Sequence, residues 1–322
     1  MNYQDKITIG IRDSELSKAQ TKEFILHAEK SIKEINQNSF EIKFIKTSGD
    51  IYNTERLDRI GGKGLFIKEI EDCILSNEVD IGVHSIKDIP VVNHEDLEIF
   101  CYTNRLDNSD VLISNSGKSF ENLDSGSIIG TSSVRRRSQI LRLRKDLNIK
   151  LLRGNVDTRI KKLRSNEYDA IILAYAGLKR LNMESEITEI LSHKYFLPAA
   201  GQGAIGIQSK INSEFKKIFE NINDVQTKVT VSAERSFLKT INANCNSPVS
   251  VYAKLENQQL NMQCQILSHN GELMFNESMN CTPEESESIG KELGHNAIQK
   301  LGQDTIDKLH KLENDFNYTP KR

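Results

Sequence analysis

The chain reads Val79-Asp80-Ile81-Gly82-Val83 and then, without a break, His84-Ser85-Ile86-Lys87-Asp88-Ile89-Pro90. The first five residues are typical of a buried strand, and a helix-like segment, 65–75, precedes them. Ligands of open α/β sheets bind outside the carboxyl ends of the strands. The turn after Val83 therefore lies where a ligand is expected. Asp88 there is either a general acid or base, or a group that stabilises a developing cation, with Lys87 beside it, or it belongs to a plain surface Lys/Asp turn, which the motif alone favours.

Strand-like and helix-like segments alternate through the first two thirds of the chain. Strands are predicted at 6–11, 41–45, 79–83, 128–130, 149–152 and 170–173, and helices at 16–35, 65–75, 133–145 and 156–165. This alternation is the pattern of βαβ units around a largely parallel sheet. A polar stretch, 104–110, separates two such cycles, so the simplest interpretation is two similar α/β domains.

The pattern changes after Pro198. A further strand is predicted at 204–208, helices at 213–222 and 228–241, an antiparallel meander of three strands over 248–278, and helices at 284–300 and 303–312. The last turn of the meander is Ser268-His269-Asn270-Gly271. The C-terminal part is therefore predicted to be a third, α+β domain.

Composition and charge describe an ordinary globular protein with one unusual segment. The 322 residues carry a net charge of −2 and are 37% hydrophobic, which suits two or three folded domains. Residues 135–164 hold twelve Lys and Arg against Asp146 and Asp157, so this basic block predicts an anionic ligand. No apolar run is long enough for a signal peptide or a membrane span, so a cytoplasmic protein is the default expectation.

Basic residues cluster at three predicted strand ends. The clusters are Thr131-Ser132-Ser133-Val134-Arg135-Arg136, Arg153-Gly154-Asn155-Val156-Asp157-Thr158-Arg159 and Ala176-Gly177-Leu178-Lys179-Arg180. Hydroxyls, amides at a helix start and guanidinium groups together suit a carboxylate or a phosphate. RNA is the competing ligand, but residues 135–164 lack aromatic side chains for base stacking, so a small polyanion is favoured.

Two glycine-rich stretches allow more than one interpretation. Gly201-Gln202-Gly203-Ala204-Ile205-Gly206 matches the dinucleotide pattern G-x-G-x-x-G, but a strand follows it where a helix is required, which favours a hinge or a tight turn. Gly61-Gly62-Lys63-Gly64 precedes an amphipathic helix without the spacing of a P-loop. Its amides and Lys63 either hold an anion or form a lid, or the segment is only a helix start.

The five cysteines are widely spaced and include no C-x-x-C pair. Reduced thiols are therefore expected, without disulfides, and the isolated histidines predict no metal site. Cys245 stands on a polar loop, Asn242-Ala243-Asn244-Cys245-Asn246-Ser247-Pro248. An exposed loop thiol is either a covalent attachment point or nucleophile, or an incidental residue.

Taken together, these motifs resemble those of the porphobilinogen deaminase family, in the family's order and over nearly the whole chain. The matching stretches are Gly10-Ile11-Arg12-Asp13-Ser14, Thr47-Ser48-Gly49-Asp50, Gly61-Gly62-Lys63-Gly64-Leu65-Phe66, His84-Ser85-Ile86-Lys87-Asp88-Ile89-Pro90, Gly130-Thr131-Ser132-Ser133-Val134-Arg135-Arg136, Leu152-Arg153-Gly154-Asn155-Val156, Ala176-Gly177-Leu178-Lys179-Arg180, Leu197-Pro198-Ala199-Ala200-Gly201-Gln202-Gly203 and Ala233-Glu234-Arg235. A series this long does not arise by chance.

The resemblance implies a transferase of tetrapyrrole (heme) biosynthesis. Such an enzyme condenses four porphobilinogen molecules head to tail, releases ammonia at each step and frees the product, hydroxymethylbilane, by hydrolysis. It carries a dipyrromethane primer on a cysteine thioether, and the matching residue is Cys245. The matching aspartate, Asp88, is implied to bind pyrrole N–H groups and to stabilise the cation formed when ammonia leaves.

Each pyrrole of such a substrate bears an acetate and a propionate, which are both negatively charged. Most of the implied binding residues are cationic or carry a hydroxyl. The resemblance implies that the cofactor is held by Cys245, Asp88, Lys87, Ser85, Thr131, Ser133, Arg135 and Arg136, and the substrate by Arg12, Ser14, Lys63, Arg153, Arg159 and Arg180. It implies no metal, no nucleic acid and no membrane, and the family is usually monomeric.

The implied fold has three domains. The first two resemble type II periplasmic-binding-protein domains of the α/β class, with the active cleft between them, and the third is an α+β domain with a three-stranded antiparallel sheet that presents Cys245. The predicted boundaries are 1–104 with 203–221, 105–202 and 222–322. Hinges near 104–110 and 198–203 are expected to let the cleft take a lengthening chain.

Four positions depart from the family's usual pattern. Asn244 and Asn246 flank the cysteine where glycine and glutamine are common, Arg59 replaces a common lysine, and Asp157 adds an acid where glycine is frequent. A second hypothesis is an inactive two-lobed binding protein for a small polyanion, which needs neither Asp88 nor Cys245.

Overall fold

The computed structural model describes residues 6–47, 67–92 and 94–311. It divides into two compact units, Met1–Leu106 with Gly203–Lys228, and Asp107–Gln202 with Val229–Arg322. The glycine-rich stretch Gly61-Gly62-Lys63-Gly64, and the departure at Arg59, lie outside the described residues.

The described helices and strands follow one another in a regular order. They are β1 (Ile7–Arg12), α1 (Glu15–Ser31), β2 (Phe40–Ile45), α2 (Lys68–Leu75), β3 (Ile81–Ser85), β4 (Leu97–Tyr102), β5 (Asp110–Ser114), β6 (Ile128–Gly130), α3 (Val134–Leu143), β7 (Asn148–Lys150), α4 (Val156–Arg164), β8 (Ala170–Ala174), α5 (Tyr175–Arg180), β9 (Glu189–Ile190), β10 (Ile205–Lys210), α6 (Phe215–Ile218), α7 (Val225–Thr240), β11 (Val249–Glu256), β12 (Gln259–Leu267), β13 (Leu273–Cys281), α8 (Ser286–Leu301) and α9 (Gln303–Leu309).

A five-stranded sheet forms the centre of the first unit, in the order β2-β1-β3-β10-β4. β1 runs parallel to β2 and β3, and β10 runs antiparallel to both β3 and β4. The core beside it includes an aromatic cluster in which the rings of Phe24 and Phe219 lie 5.2 Å apart, edge to face. The sheet is therefore largely parallel, as predicted, with one reversed strand that arrives late in the sequence.

The second unit repeats this arrangement in the order β7-β6-β8-β5-β9. β6 is parallel to β7 and β8, and β5 is antiparallel to β8 and β9. Alternate residues of β5 enter different apolar cores: Leu112 packs in one, and Val111 and Ile113 in the other. Because successive strand side chains point to opposite faces, this sheet is covered on both sides.

An antiparallel sheet, β11-β12-β13, completes the second unit and packs with α7 and α8. The two helices approach closely at two glycines. A Cβ on Gly290 would lie 2.3 Å from the Ala233 carbonyl oxygen, and one on Gly294 would lie 2.6 Å from the Thr240 side chain. The predicted three-stranded meander and its last turn at Ser268 to Gly271 are confirmed.

The fold class predicted from the sequence is confirmed, with corrections to individual elements. β3 is Ile81–Ser85 rather than 79–83, because β10 pairs with His84 and Ser85 and extends the strand. β4, β5 and β9 are strands that the sequence pattern does not predict. The predicted strand at 204–208 is β10, in the first sheet.

The sequence Gly201 to Gly206 has no dinucleotide geometry. It forms a turn that leads into β10, and no helix follows directly. Gly203 has a φ of +91°, and a Cβ there would lie 2.4 Å from the Leu106 carbonyl oxygen. The glycine is therefore required by the backbone and by close packing.

Within the described ranges, no helix is long and apolar enough to cross a membrane.

Candidate active site

A pocket in the first unit lies at the carboxyl ends of β1 and β3. It is lined by Arg12, Ser14, Leu16, Ser17, Gln20, Ile67, Val83, His84, Ser85 and Asp88. Four residues predicted for the site therefore meet here: Arg12, Ser14, Ser85 and Asp88. A guanidinium, hydroxyls and a carboxylate line one opening, which suits a ligand with both anionic groups and N–H donors.

The start of α1 fixes one wall of this pocket. Ser14 is the N-cap, and its hydroxyl oxygen accepts a hydrogen bond from the Ser17 N–H at 3.2 Å. Arg12 is the last residue of β1, so the short strand-to-helix connection brings the guanidinium and the cap side by side. The cap and the acidic residue Glu15 in the first turn explain why the helix begins here.

The other wall comes from β3 and the turn after it. Ser85 is the last residue of the strand, not a residue past it, and Lys87 and Asp88 lie on a single 3-10 turn, where both are exposed. The Gln20 side-chain amide donates a hydrogen bond to Ser85 Oγ at 2.7 Å. This bond ties α1 to β3 and fixes the serine hydroxyl at the pocket.

His84 lies at the pocket but is only 5% exposed. Burial lowers the pKa of His84 to about 4, and the Gln208 side chain opposes this shift only in part. The imidazole is therefore neutral near pH 7 and contributes shape rather than charge. Asp88 is left as the acidic group that lines this pocket.

In the second unit, the N-terminus of α3 gathers hydroxyls and guanidiniums as predicted. Ser133 is the N-cap, and its oxygen accepts a hydrogen bond from the Arg136 N–H at 3.4 Å. Thr131 Oγ1 accepts from the Ser133 N–H at 3.1 Å. Both hydroxyls thus order the start of the helix.

Arg135 and Arg136 form a buried cluster around Asp110. Arg135 Nη1 lies 2.8 Å from one carboxylate oxygen, and Arg136 Nη2 and Nε lie 2.7 and 3.1 Å from the other. Gln202 also donates to Asp110, at 2.9 Å. Burial alone raises the pKa of Asp110, but the two guanidiniums outweigh it and hold the pKa well below its usual range.

This cluster carries two positive charges against one negative charge, so it keeps a net positive charge in a region of low solvent exposure. Both arginines are only 6% exposed. The family resemblance implies that both arginines bind the cofactor, but no sequence pattern points to Asp110, because the pairing joins residues 25 positions or more apart.

The other predicted arginines of this unit are half-buried. Arg159 Nε donates to the Gly154 carbonyl at 2.7 Å, across the turn that precedes α4. Gly154 has a φ of +113°, and a Cβ there would lie 2.8 Å from the Thr158 side chain. Asp157 lies in the first turn of α4, where a carboxylate is favourable to the helix dipole.

Cys245 lies at the tip of a tight turn between α7 and β11, and its side chain is exposed. The Ser247 N–H donates to the Asn244 carbonyl at 3.1 Å, and the Asn244 N–H donates to Ser247 Oγ at 2.9 Å. Asn244 Oδ1 accepts from the Asn246 N–H at 2.8 Å. The Asn244 side chain, one of the departures from the family pattern, thus helps to build the turn.

The residues present suit a covalently held pyrrole cofactor. No disulfide joins the five cysteines, all of which lie among the described residues, and Cys245 is the exposed one. Thiols form thioethers, and the Ser133 hydroxyl and the half-buried Arg153, Arg159 and Arg180 are suitable partners for pyrrole carboxylates. Among the residues that the structure describes, no group of three or more His, Cys, Asp or Glu side chains is arranged to hold a metal ion.

The fold is of the α/β class, with a polar pocket in the first unit and an exposed loop thiol in the second. Two family models match the chain: "Porphobilinogen deaminase, dipyromethane cofactor binding domain" over residues 7–217, and "Porphobilinogen deaminase, C-terminal domain" over residues 228–299. The chain therefore belongs to the porphobilinogen deaminase family. It is a transferase of tetrapyrrole biosynthesis with a dipyrromethane cofactor, and the hypothesis of an inactive binding protein is not supported.

Relatives with this name cover almost all of the chain. Porphobilinogen deaminase from Bacillus subtilis (strain 168) is 41% identical over 94% of this chain and 96% of its own. The protein of the same name from Bacillus thuringiensis (strain Al Hakam) is 41% identical over 94% of this chain and 97% of its own. Among solved structures, the periplasmic aliphatic sulphonate binding protein SsuA from Escherichia coli has a TM-score of 0.39 at 11% identity, covering 74% of this chain and 71% of that one.

Proposed function

We propose that this chain condenses four porphobilinogen molecules head to tail, with loss of ammonia at each step, and releases hydroxymethylbilane after hydrolysis. The observation that carries the assignment of residues is the pocket of the first unit. It joins Arg12 and Ser14, from the end of β1, with Ser85 and Asp88, from the end of β3, and the sequence predicts all four as site residues.

Asp88 is the proposed catalytic residue. When ammonia leaves porphobilinogen, positive charge develops on the pyrrole, and a fixed carboxylate beside it lowers the barrier. Its carboxylate also accepts hydrogen bonds from pyrrole N–H groups. Asp88 is exposed on the turn after β3, so a substrate ring can reach it.

Cationic and hydroxyl side chains bind the carboxylates of the pyrrole rings. In this proposal Arg12, Ser14, Lys63, Arg153, Arg159 and Arg180 bind substrate, and Lys87, Ser85, Thr131, Ser133, Arg135 and Arg136 bind cofactor. Each added ring brings two more carboxylates, so several cationic groups are needed. Hydrogen bonds between a charged donor and a carboxylate contribute about 1.5–3 kcal/mol each.

Cys245 is the proposed attachment point of the dipyrromethane, through a thioether. When bound, this group supplies the free pyrrole position to which the first substrate unit is joined. The chain's own contribution is to hold the sulfur at the tip of a turn, exposed on the surface of its unit.

The proposed function also includes a domain division, an oligomeric state and a cellular location. We divide the chain into three domains, 1–104 with 203–221, 105–202 and 222–322. The protein is proposed to be a cytoplasmic monomer that binds neither nucleic acid nor membranes, with porphobilinogen as its small-molecule partner.

Product stoichiometry tests this function. The purified full chain is incubated with porphobilinogen, and ammonia and bilane are measured in the same reaction. The proposal predicts four ammonia molecules per bilane released. An absence of bilane, after prior incubation with porphobilinogen to load the cofactor, would overturn it.

A further inference from the structure

The turn that carries Cys245 is held from outside by His310, which follows α9. His310 Nδ1 lies 2.8 Å from Ser247 Oγ, and His310 Nε2 lies 2.7 Å from the Ile241 carbonyl oxygen. Ile241 follows the end of α7 and Ser247 closes the turn, so one imidazole contacts both ends of the cysteine loop. The contacts join residues more than 60 positions apart.

The hydrogen-bond chemistry of this contact is directional. A carbonyl oxygen only accepts, so His310 Nε2 carries a proton and donates to Ile241. In the neutral imidazole Nδ1 is then an acceptor, so the Ser247 hydroxyl, which accepts from the Asn244 N–H, donates its proton to Nδ1. A continuous chain, Asn244 N–H to Ser247 O–H to His310 to Ile241, therefore fixes the residues on both sides of Cys245.

Two further contacts hold the same region. The Asn244 side-chain amide lies 3.4 Å from the His310 carbonyl oxygen. His269, in the turn between β12 and β13, has its Nε2 3.1 Å from the Leu309 carbonyl oxygen. The end of α9 is thus fixed to the meander on one side and to the cysteine turn on the other.

We propose that His310 is a positioning residue that holds the Cys245 turn in the shape needed for covalent loading of the cofactor. This inference rests on the proposed role of Cys245. His310 lies beyond residues 228–299, which the C-terminal family model matches, and Asn244 is one of the departures from the family pattern. The hydrogen-bonded chain of Asn244, Ser247 and His310 is therefore a feature of this sequence.

The first test is the rate of cofactor loading. Full-length apoprotein is incubated with porphobilinogen, and the gain of mass is followed by intact mass spectrometry for wild type, His310→Ala, Ser247→Ala and the double variant. His295→Ala, an exposed histidine on α8, is the matched control. We expect loading to slow by about tenfold in each single variant, the free-energy equivalent of one neutral hydrogen bond.

The double variant separates positioning from general damage. Since both side chains belong to one hydrogen-bonded chain, the double variant should load no more slowly than either single variant. Multiplicative slowing, or loading of His310→Ala at the rate of His295→Ala, would overturn the proposal. His310→Gln, which keeps a donor and an acceptor, should recover part of the rate and serves if His310→Ala does not fold.

Amide hydrogen exchange measures the stability of the Cys245 turn and requires no reaction at the thiol. We expect the amides of residues 242–247 to exchange faster in His310→Ala than in wild type, while the three-stranded sheet is unchanged. Equal exchange in this peptide contradicts the proposal. If the wild-type chain gains no mass at all, the proposed attachment to Cys245 fails, and that result is distinct from a failure of His310 alone.

Discussion

The two five-stranded sheets have the same strand order and the same single reversed strand, yet they place their charged residues differently. In the first unit, the turn after β3 leaves Asp88 exposed at a pocket. In the second, Asp110 at the start of β5 is fully buried and is paired with two arginines. One aspartate is available to a ligand, and the other is engaged by the protein itself.

This difference shows that the same sheet architecture can present a carboxylate to a ligand or bury it against cations. An exposed carboxylate can meet a developing positive charge, whereas a buried one orients cations. Because two guanidiniums surround Asp110, the second unit keeps a net positive charge beside the start of α3. The first unit thus has an exposed acid at a pocket, and the second has a buried, net positive cluster.

The largest effect is expected at Asp110. Its replacement in Asp110→Ala leaves two buried guanidiniums without their carboxylate, so the free energy of unfolding should fall by about 3–5 kcal/mol. Urea unfolding at pH 7 measures it. Asp146→Ala is the control, since Asp146 also pairs with an arginine, Arg144, but nearer the surface. Equal losses in the two variants would contradict the assigned role of burial.

Asp88→Ala should impair catalysis and leave stability almost unchanged. We expect turnover of porphobilinogen to fall by about 10²–10³-fold, the usual cost of removing a group that stabilises charge in the transition state. The free energy of unfolding should change by no more than about 0.5 kcal/mol, because Asp88 is exposed. Asp96→Ala, another exposed acid of the same unit, should leave both quantities unchanged. Near-normal bilane formation by Asp88→Ala would remove Asp88 from the mechanism.

Arg153→Ala tests whether the half-buried arginines bind substrate rather than hold the fold. Losing one charged contact should lower kcat/KM by about 10- to 150-fold, corresponding to 1.5–3 kcal/mol, and should stall chain growth at one length, visible by mass. Arg153→Lys should recover only part of this where the contact is bidentate. Arg164→Ala, which breaks a surface pair with Glu186, should have normal kinetics. Matching kinetics in Arg153→Ala and Arg164→Ala would be the contrary result.

A pH dependence of stability is expected from His84. The pKa of His84 falls from 6.5 to about 4 on folding, so between these values the unfolded chain binds a proton that the native chain does not. Stability should therefore decrease as the pH falls from 6.5 to 4, by at most about 1.4 kcal/mol per pH unit from this group. In His84→Asn that part of the slope should disappear, whereas exposed His94→Asn should keep it. An unchanged slope in His84→Asn would be evidence against the burial effect.

Much of the fold follows from local sequence patterns. The strand predicted at 128–130 and the strand predicted at 170–173 are β6 and β8, because short apolar runs with turn residues on both sides have few other solutions. β5 is not predicted, because it begins with a charged residue. Asp110 can be buried there only because Arg135 and Arg136 pair with it. β9 has two residues and depends on its pairing with β5.

Some of the candidate functional residues can likewise be predicted from sequence patterns, and others cannot. Asp88 and Ser85 are predictable, because strand ends are where α/β proteins place their ligands. Gln20 and His310 are not, since each acts through a contact with a residue more than 60 positions away. A pattern in one sequence shows which side chains can do chemistry, but the residues that orient them are found only when the chain has folded.

Covalent attachment of the cofactor is most directly measured by the intact mass of the denatured full-length protein beside that of Cys245→Ser, with Ehrlich's reagent as a colour check for pyrroles. We predict a mass excess equal to two linked pyrrole units in the wild-type protein and none in the variant. A bare polypeptide mass for the wild type, persisting after incubation with porphobilinogen, would contradict the role of Cys245.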